Sequence, residues 1–99
     1  MIKSSNLDGS RLTVALEGRI DTLTAPQLES DLKPLLNGVS ELVLDFAQVA
    51  YISSAGLRVL LSTHKLMLAA GGTLTISNTV DAVREVFEIT GFSDILTLA

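Results

Sequence analysis

Ninety-nine residues, 47% of them hydrophobic and only 18% charged, are enough for one domain with its own core and carry too little charge for a disordered chain. The net charge of −4 works against nonspecific binding to nucleic acid or anionic lipid, both of which draw on surplus Lys and Arg. The absence of cysteine removes disulfides, thiolate catalysis and cysteine metal sites together.

In chain order, Met1 to Asn6 is expected to be a weak strand that turns at Asp8-Gly9 into a second one, Arg11 to Glu17. There Leu12, Val14 and Leu16 alternate with Thr13, Ala15 and Glu17, so one face is apolar. Gly18 to Leu23 is expected as a loop. Thr24-Ala25-Pro26-Gln27 has capping-box spacing, with proline confined to the first turn of the helix it opens. Leu28, Leu32, Leu35 and Leu36 form that helix's buried stripe, Pro34 weakens its last turn, and Asn37-Gly38 ends it.

Leu42-Val43-Leu44 with Phe46 is a nearly continuous apolar run, the pattern of a central strand covered on both faces. From Ser54 to about Ala69, residues Leu57, Leu60, Leu61, Met67 and Leu68 recur at helical spacing. Gly71-Gly72 stops this helix before a short strand, Thr73 to Ile76. A third helix is expected to start near Asn78 or Thr79, with Asp81 in its first turn, Val80, Val83, Val86 and Phe87 facing inward, and Gly91 at its end. Ile95 to Leu98 completes the order ββαβαβαβ. The expected fold is a single α/β domain over residues 1–99: a mostly parallel sheet with an N-terminal hairpin strand and helices packed against it.

No apolar run approaches the ~18 residues of a spanning helix, and the first residues contain no apolar stretch of a secretory signal. A cytoplasmic protein without a membrane partner is the expectation.

Ser53-Ser54-Ala55-Gly56, at a strand-to-helix junction, invites comparison with the nucleophile elbow of serine hydrolases. Only half of that motif is present, since Gly56 follows Ser54 by two residues but Ile52 stands in the upstream glycine position. The single histidine, His64, lies ten residues after Ser54 on the same predicted helix. At ~1.5 Å per residue the two are ~15 Å apart, against the ~3 Å a general base needs. No enzyme activity is expected, and His64 reads as a partly exposed helix residue. No spacing of Asp8, Asp21, Asp31, Asp45, Asp81 and Asp94 forms a metal motif, and Gly71-Gly72 lacks the lysine or spaced glycines of a phosphate loop. No metal or cofactor is implied.

Ser54 has two compatible readings. It is suited to an ordinary helix N-cap, accepting a hydrogen bond from a first-turn N–H and stabilising the helix by ~1 kcal/mol. A phosphate there would lie at the positive end of the helix beside unpaired N–H groups, adding about −1.5 to −2 charge that is hostile to an acidic or apolar partner.

The chain resembles STAS domains, and specifically bacterial anti-sigma factor antagonists. The resemblance is carried by Gly18-Arg19-Ile20-Asp21, Leu42-Val43-Leu44-Asp45-Phe46 and Tyr51-Ile52-Ser53-Ser54-Ala55-Gly56-Leu57, and extends through Gly71-Gly72 and Val86-Phe87-Glu88-Ile89-Thr90-Gly91-Phe92. It implies a partner switch: the unmodified protein captures an anti-sigma factor serine kinase and frees that kinase's target. Phosphorylation by the kinase, which uses ATP, then separates the pair, and a PP2C-type phosphatase resets the cycle.

Alignment on Gly56-Leu57 places the phosphoacceptor at Ser54, with Ser53 the alternative because it supplies a second hydroxyl where relatives often carry aspartate. Arg58 replaces a glycine common in relatives, and reads equally as a partner contact or a solvated residue. Asp21 and Asp45 match acidic family positions; a loop cap and a strand-end turn are their structural alternatives. The implied partner surface comprises Arg19, Asp21, Asp45, Ser53, Ser54, Gly56, Leu57 and Arg58. It draws on the Arg19-to-Leu23 loop, the loop before Ser53 and the first turns of the next helix, at the carboxyl end of the parallel strands. A STAS scaffold without a phosphorylation cycle, in a signalling assembly or associated with an anion transporter, is the competing reading.

Overall fold

A computed structural model describes residues 1–99. Strand β1 (Ile2–Asp8) and strand β2 (Arg11–Ile20) form an antiparallel hairpin in which Asp8 pairs with Arg11. Helix α1 (Ala25–Leu32) leads to strand β3 (Glu41–Ile52), helix α2 (Ser54–Ala69), strand β4 (Thr73–Ser77), helix α3 (Asp81–Thr90) and the short strand β5 (Thr97–Leu98). The strands lie in the order β1-β2-β3-β4-β5, and every pair after the first is parallel. This is the expected ββαβαβαβ arrangement with β3 at the centre.

The register puts the core on one face of the sheet. Leu12, Leu42 and Leu74 are partners across β2, β3 and β4, as are Val14, Leu44 and Ile76, and all six are buried. Against these rows pack Ala25, Leu28 and Leu32 of α1, Leu60 and Met67 of α2, and Val83 and Phe87 of α3, in one cluster. The Phe87 ring tilts 47° to that of Phe46 with centroids 6.2 Å apart, an offset arrangement aromatic pairs favour. Between the two rows lies the row Thr13, Val43, Thr75, and Val43 is buried but outside that cluster. The expectation that β3 is covered on both faces is therefore corrected. Its neighbours on the second face are threonines, which need no helix over them.

Several ends also differ from expectation. Pro34 lacks an N–H, and the chain tightens into a 3-10 turn over Lys33–Leu36, leaving Leu35 and Leu36 half-buried. Helix α3 starts at Asp81 because Asn78 adopts a left-handed conformation (φ 59°), and Val80 precedes the helix, partly exposed. Leu68 is 57% exposed and does not belong to the stripe of α2. A 3-10 turn over Phe92–Asp94 shortens the last strand to Thr97–Leu98.

At the end of α2 the Gly71 N–H donates to the Leu68 carbonyl at 3.0 Å and the Gly72 N–H to the Met67 carbonyl at 2.7 Å, the pair of bonds of a Schellman cap. Gly71 supplies the left-handed φ of 77° this cap requires. A Cβ at Gly72 would lie 2.6 Å from the Ser40 carbonyl oxygen, so the second glycine permits the chain to pass close to the start of β3.

β1 accompanies β2 only as far as Leu16, and β4 accompanies β3 only as far as Asp45. Beyond that, β2 and β3 continue together to Ile20 and Ile52 as a two-stranded ribbon, with register shifts along the way. Ile20, Val49 and Ile52 anchor the ribbon in the core, while Glu17, Gly18, Arg19, Gln48, Ala50 and Tyr51 are exposed. This ribbon replaces both the loop expected to begin at Gly18 and the loop expected before Ser53. It delivers the chain directly to α2. No helix is long and apolar enough to cross a membrane.

Candidate functional site

Where the ribbon ends, the two adjacent serines are placed in opposite situations. Ser53 has extended backbone (φ −99°, ψ 178°), donates its N–H to the Ile20 carbonyl at 2.8 Å, and accepts the Leu57 N–H at its carbonyl at 3.0 Å. Ser53 is therefore the N-cap residue of α2, one position before the expected Ser54. Its side chain does no capping. The Ser53 Oγ is buried without a hydrogen-bond partner, whereas Ser54, the first helical residue, is exposed.

The N–H groups of Ser54, Ala55 and Gly56 precede the first intrahelical bond, and with the Ser53 hydroxyl turned inward none has a protein acceptor. These three donors lie in the first turn with Ser54, at the helix end that carries partial positive charge.

Gly56 and Leu57 fix this turn against the ribbon. A Cβ on Gly56 would lie 2.7 Å from Ile20 Cγ2 and 2.7 Å from Ile52 Cγ1, so only glycine permits that approach. Leu57 is 5% exposed and joins the main core. Both belong to the partner surface expected from the resemblance, but the structure buries them, and what they do here is fix the turn that carries Ser54 and Arg58. Arg58 is exposed one turn after Ser54.

Arg19 stands on β2 rather than in a loop, opposite Tyr51 in register, and its guanidinium carbon lies 4.3 Å from the Tyr51 ring centroid. That distance is within cation–π range. Tyr51 is 39% exposed and Leu23, in the next turn, 88% exposed. Leu23 closes the Arg19-to-Leu23 segment of the expected partner surface, whereas Tyr51 is not among the site residues read from the sequence. The alternation Val49, Tyr51 against Ala50, Ile52 does not mark Tyr51 as outward, because a register shift intervenes between Gly18 and Arg19.

Asp21 builds the turn between ribbon and α1. Its Oδ1 accepts the N–H groups of Leu23 at 3.0 Å and Thr24 at 3.1 Å, while the Asp21 N–H donates to Thr24 Oγ1 at 2.9 Å. The Thr24 hydroxyl donates to the Arg19 carbonyl at 2.7 Å, and the Ala25 N–H to the Asp21 carbonyl at 2.8 Å. This is a reciprocal capping box set one turn earlier than the expected Thr24–Gln27 box, and Thr24 makes no side-chain cap of its own to α1. Asp21 also lies 3.8 Å from Arg19 Nε.

The backbone N–H of Thr24, foremost, holds the Asp21 carboxyl below its usual 3.8, with Leu23, the Thr24 hydroxyl and Arg19 assisting against partial desolvation. A carboxylate with a lowered folded-state pKa contributes stability that is complete above the unfolded value and is lost as pH falls through the folded one. The melting temperature of Asp21→Asn is therefore expected to lie below wild type at neutral pH and to converge on it in acid below about pH 4. A constant difference in thermal melts across that range would remove the carboxylate charge from this role.

Asp45 is not brought to the serines. It lies on β3 opposite Ala15 and Ser77, roughly 20 Å of strand before Ile52, where its Oδ1 accepts the Ala47 N–H at 2.9 Å and Asn78 Nδ2–H at 3.1 Å. It ties the β4–α3 turn to β3 and lines a groove of about 180 Å³ with Lys3 and Gln48. His64 and Ser54 share α2 ten residues apart, so the chain's one imidazole stays about 15 Å along the helix from the Ser54 hydroxyl. No cluster of three His, Asp or Glu side chains is placed to hold a metal ion.

The model of the STAS domain family matches residues 3–99. The chain belongs to the STAS family. Among the relatives of this STAS domain, the putative anti-sigma factor antagonist BtrV of Bordetella bronchiseptica is 40% identical over 94 residues, covering 94% of this chain and 80% of BtrV. The anti-sigma-B factor antagonist of Bacillus subtilis is 33% identical over 88 residues, covering 89% of this chain and 81% of the relative. The anti-sigma factor antagonist SpoIIAA in its unphosphorylated form superposes with a TM-score of 0.82 at 18% identity, over 97% of this chain and 86% of SpoIIAA. Its phosphorylated form superposes with a TM-score of 0.73 at 17% identity, over 97% and 89%. The STAS fold read from the sequence is thus the fold observed.

Proposed function

We propose that this STAS domain is an anti-sigma factor antagonist, worked as a phosphorylation-controlled partner switch at Ser54. The observation that carries the reading is the contrast between the two serines: the Ser54 hydroxyl is open to an approaching kinase, and the Ser53 hydroxyl is buried. The antagonist role is supported by the relatives of B. subtilis type, and the occurrence of SpoIIAA in both phosphorylated and unphosphorylated forms is in keeping with the switch.

In the bare state, the partner is an anti-sigma factor serine kinase that docks over the first turn of α2 and the neighbouring ribbon, where Ser54, Arg58, Arg19, Tyr51 and Leu23 are exposed. Docking frees what the kinase held. Transfer of phosphate from the kinase's ATP to Ser54 then places about −1.5 to −2 charge in the middle of that contact. The helix terminus accommodates the anion, but a partner surface matched to a neutral hydroxyl does not. A PP2C-type phosphatase restores the hydroxyl in the cytoplasm.

The reading is tested by incubating the purified chain with its candidate kinase and ATP and locating the phosphate by tandem mass spectrometry. Phosphate is expected on Ser54 in wild type and in Ser53→Ala, and on neither serine in Ser54→Ala. Modification confined to Ser53 would overturn the site, and no modification by a kinase shown to bind would favour a STAS scaffold without a cycle.

A further inference from the structure

Ser54 and Arg58 are both exposed and stand one helical turn apart on α2. At that spacing Cβ atoms are about 5–6 Å apart, and an acidic group four residues before a basic one is the favourable order along a helix. Arg58 is also uncommitted. The two ion pairs of the structure are Arg11–Glu41 and Arg19–Asp21, and no side-chain hydrogen bond is donated by Arg58. Arg58 lines a cleft of about 280 Å³ together with Ala55 and Val59 of α2 and Glu29 of α1. Arg58 is thus a cation without a partner, one helical turn from the hydroxyl proposed to be modified and from the first-turn N–H groups.

We infer that Arg58 is an intramolecular latch for the phosphorylated form, its planar fork gripping the phosphate of Ser54 while the first-turn N–H groups hold it from the helix side. The inference rests on the proposed modification of Ser54 and adds to it a residue that acts after the phosphate has arrived. A guanidinium matches two phosphate oxygens at once, and the dianion gains more from it than the monoanion. The latch therefore keeps the phosphate doubly charged at neutral pH and shields the ester, prolonging the state in which the partner is released. The other charged groups near this turn are Glu29 across the cleft and the Arg19–Asp21 pair, joined to α2 through the Ser53 N–H to Ile20 bond.

The test uses the full chain with phosphoserine incorporated at position 54 during synthesis, so that no kinase is required. Phosphorus NMR is followed through pH in the chain with Arg58 intact, in Arg58→Gln and in Glu29→Gln. In Arg58→Gln the second phosphate pKa is expected to rise by roughly 0.3 unit or more, and removal of phosphate by a PP2C-type phosphatase to quicken several-fold. In Glu29→Gln, loss of a neighbouring carboxylate is expected to lower that pKa slightly or leave it in place. Identical titrations with Arg58 intact and in Arg58→Gln, both folded by circular dichroism, would overturn the latch. Such a result leaves the modification of Ser54 standing, whereas failure of the kinase to modify Ser54 sinks that reading without touching this measurement.

Discussion

Gly56→Val is expected to lower the stability of the protein by about 3 kcal/mol, the upper end of what overpacking a core costs. The cause is local and double. Already the first added carbon meets Ile20 Cγ2 and Ile52 Cγ1 at 2.7 Å, and the Ile20 carbonyl oxygen at 3.1 Å. Those two isoleucines are 0% and 2% exposed, and the Cγ2 methyl of Ile20 is fixed to a branched Cβ that has few rotamers to offer. For a domain of this size the melting temperature is expected to fall by roughly 12–24 °C. Gly56→Ala is expected to lose less, about 1–2 kcal/mol, since alanine recovers about 1 kcal/mol of helix propensity. A Gly56→Val protein melting within about 4 °C of wild type would show that the ribbon yields to the helix instead of fixing it.

The same turn governs binding. Ser54→Asp is expected to weaken the complex with the kinase about 30-fold, roughly 2 kcal/mol, by placing a carboxylate where the partner meets a hydroxyl. The fold gains rather than suffers, because an exposed acidic side chain in the first turn is favoured by about 0.3–1 kcal/mol. Ser54→Ala is expected to bind like wild type. Calorimetric titration paired with thermal melts separates the two effects: affinity falls in Ser54→Asp while the melting temperature holds or rises. A parallel loss of both would mean that the substitution acts through the fold and not through charge at the contact.

The element order was legible because strand and helix periods are local. Leu12, Val14 and Leu16 mark one face of β2, and Leu57 and Leu60 mark the inward side of α2, without knowledge of any neighbour. What eluded local reading depends on partners distant in sequence. Val43 looks like a residue of a doubly covered strand until the register reveals Thr13 and Thr75 beside it. Which serine caps α2 is decided by the bond from the Ser53 N–H to the Ile20 carbonyl, and which threonine-containing box forms is decided by Asp21 reaching forward to Thr24.

The site shows the same division. Ser54, Arg58 and Arg19, positions the resemblance implied, are exposed, whereas Asp45 is held by Asn78 at the end of β4. Tyr51 came into view only with the parallel pairing that sets it against Arg19. Family resemblance names positions but does not separate exposed ones, such as Ser54 and Arg58, from buried ones, such as Gly56 and Leu57.

The most direct measurement is a calorimetric titration of the kinase, loaded with ADP so that no transfer occurs, against this chain bare and against the same chain carrying phosphate on Ser54 alone. The bare chain is expected to bind at least about 100-fold more tightly. Equal affinities for the two forms would contradict the switch.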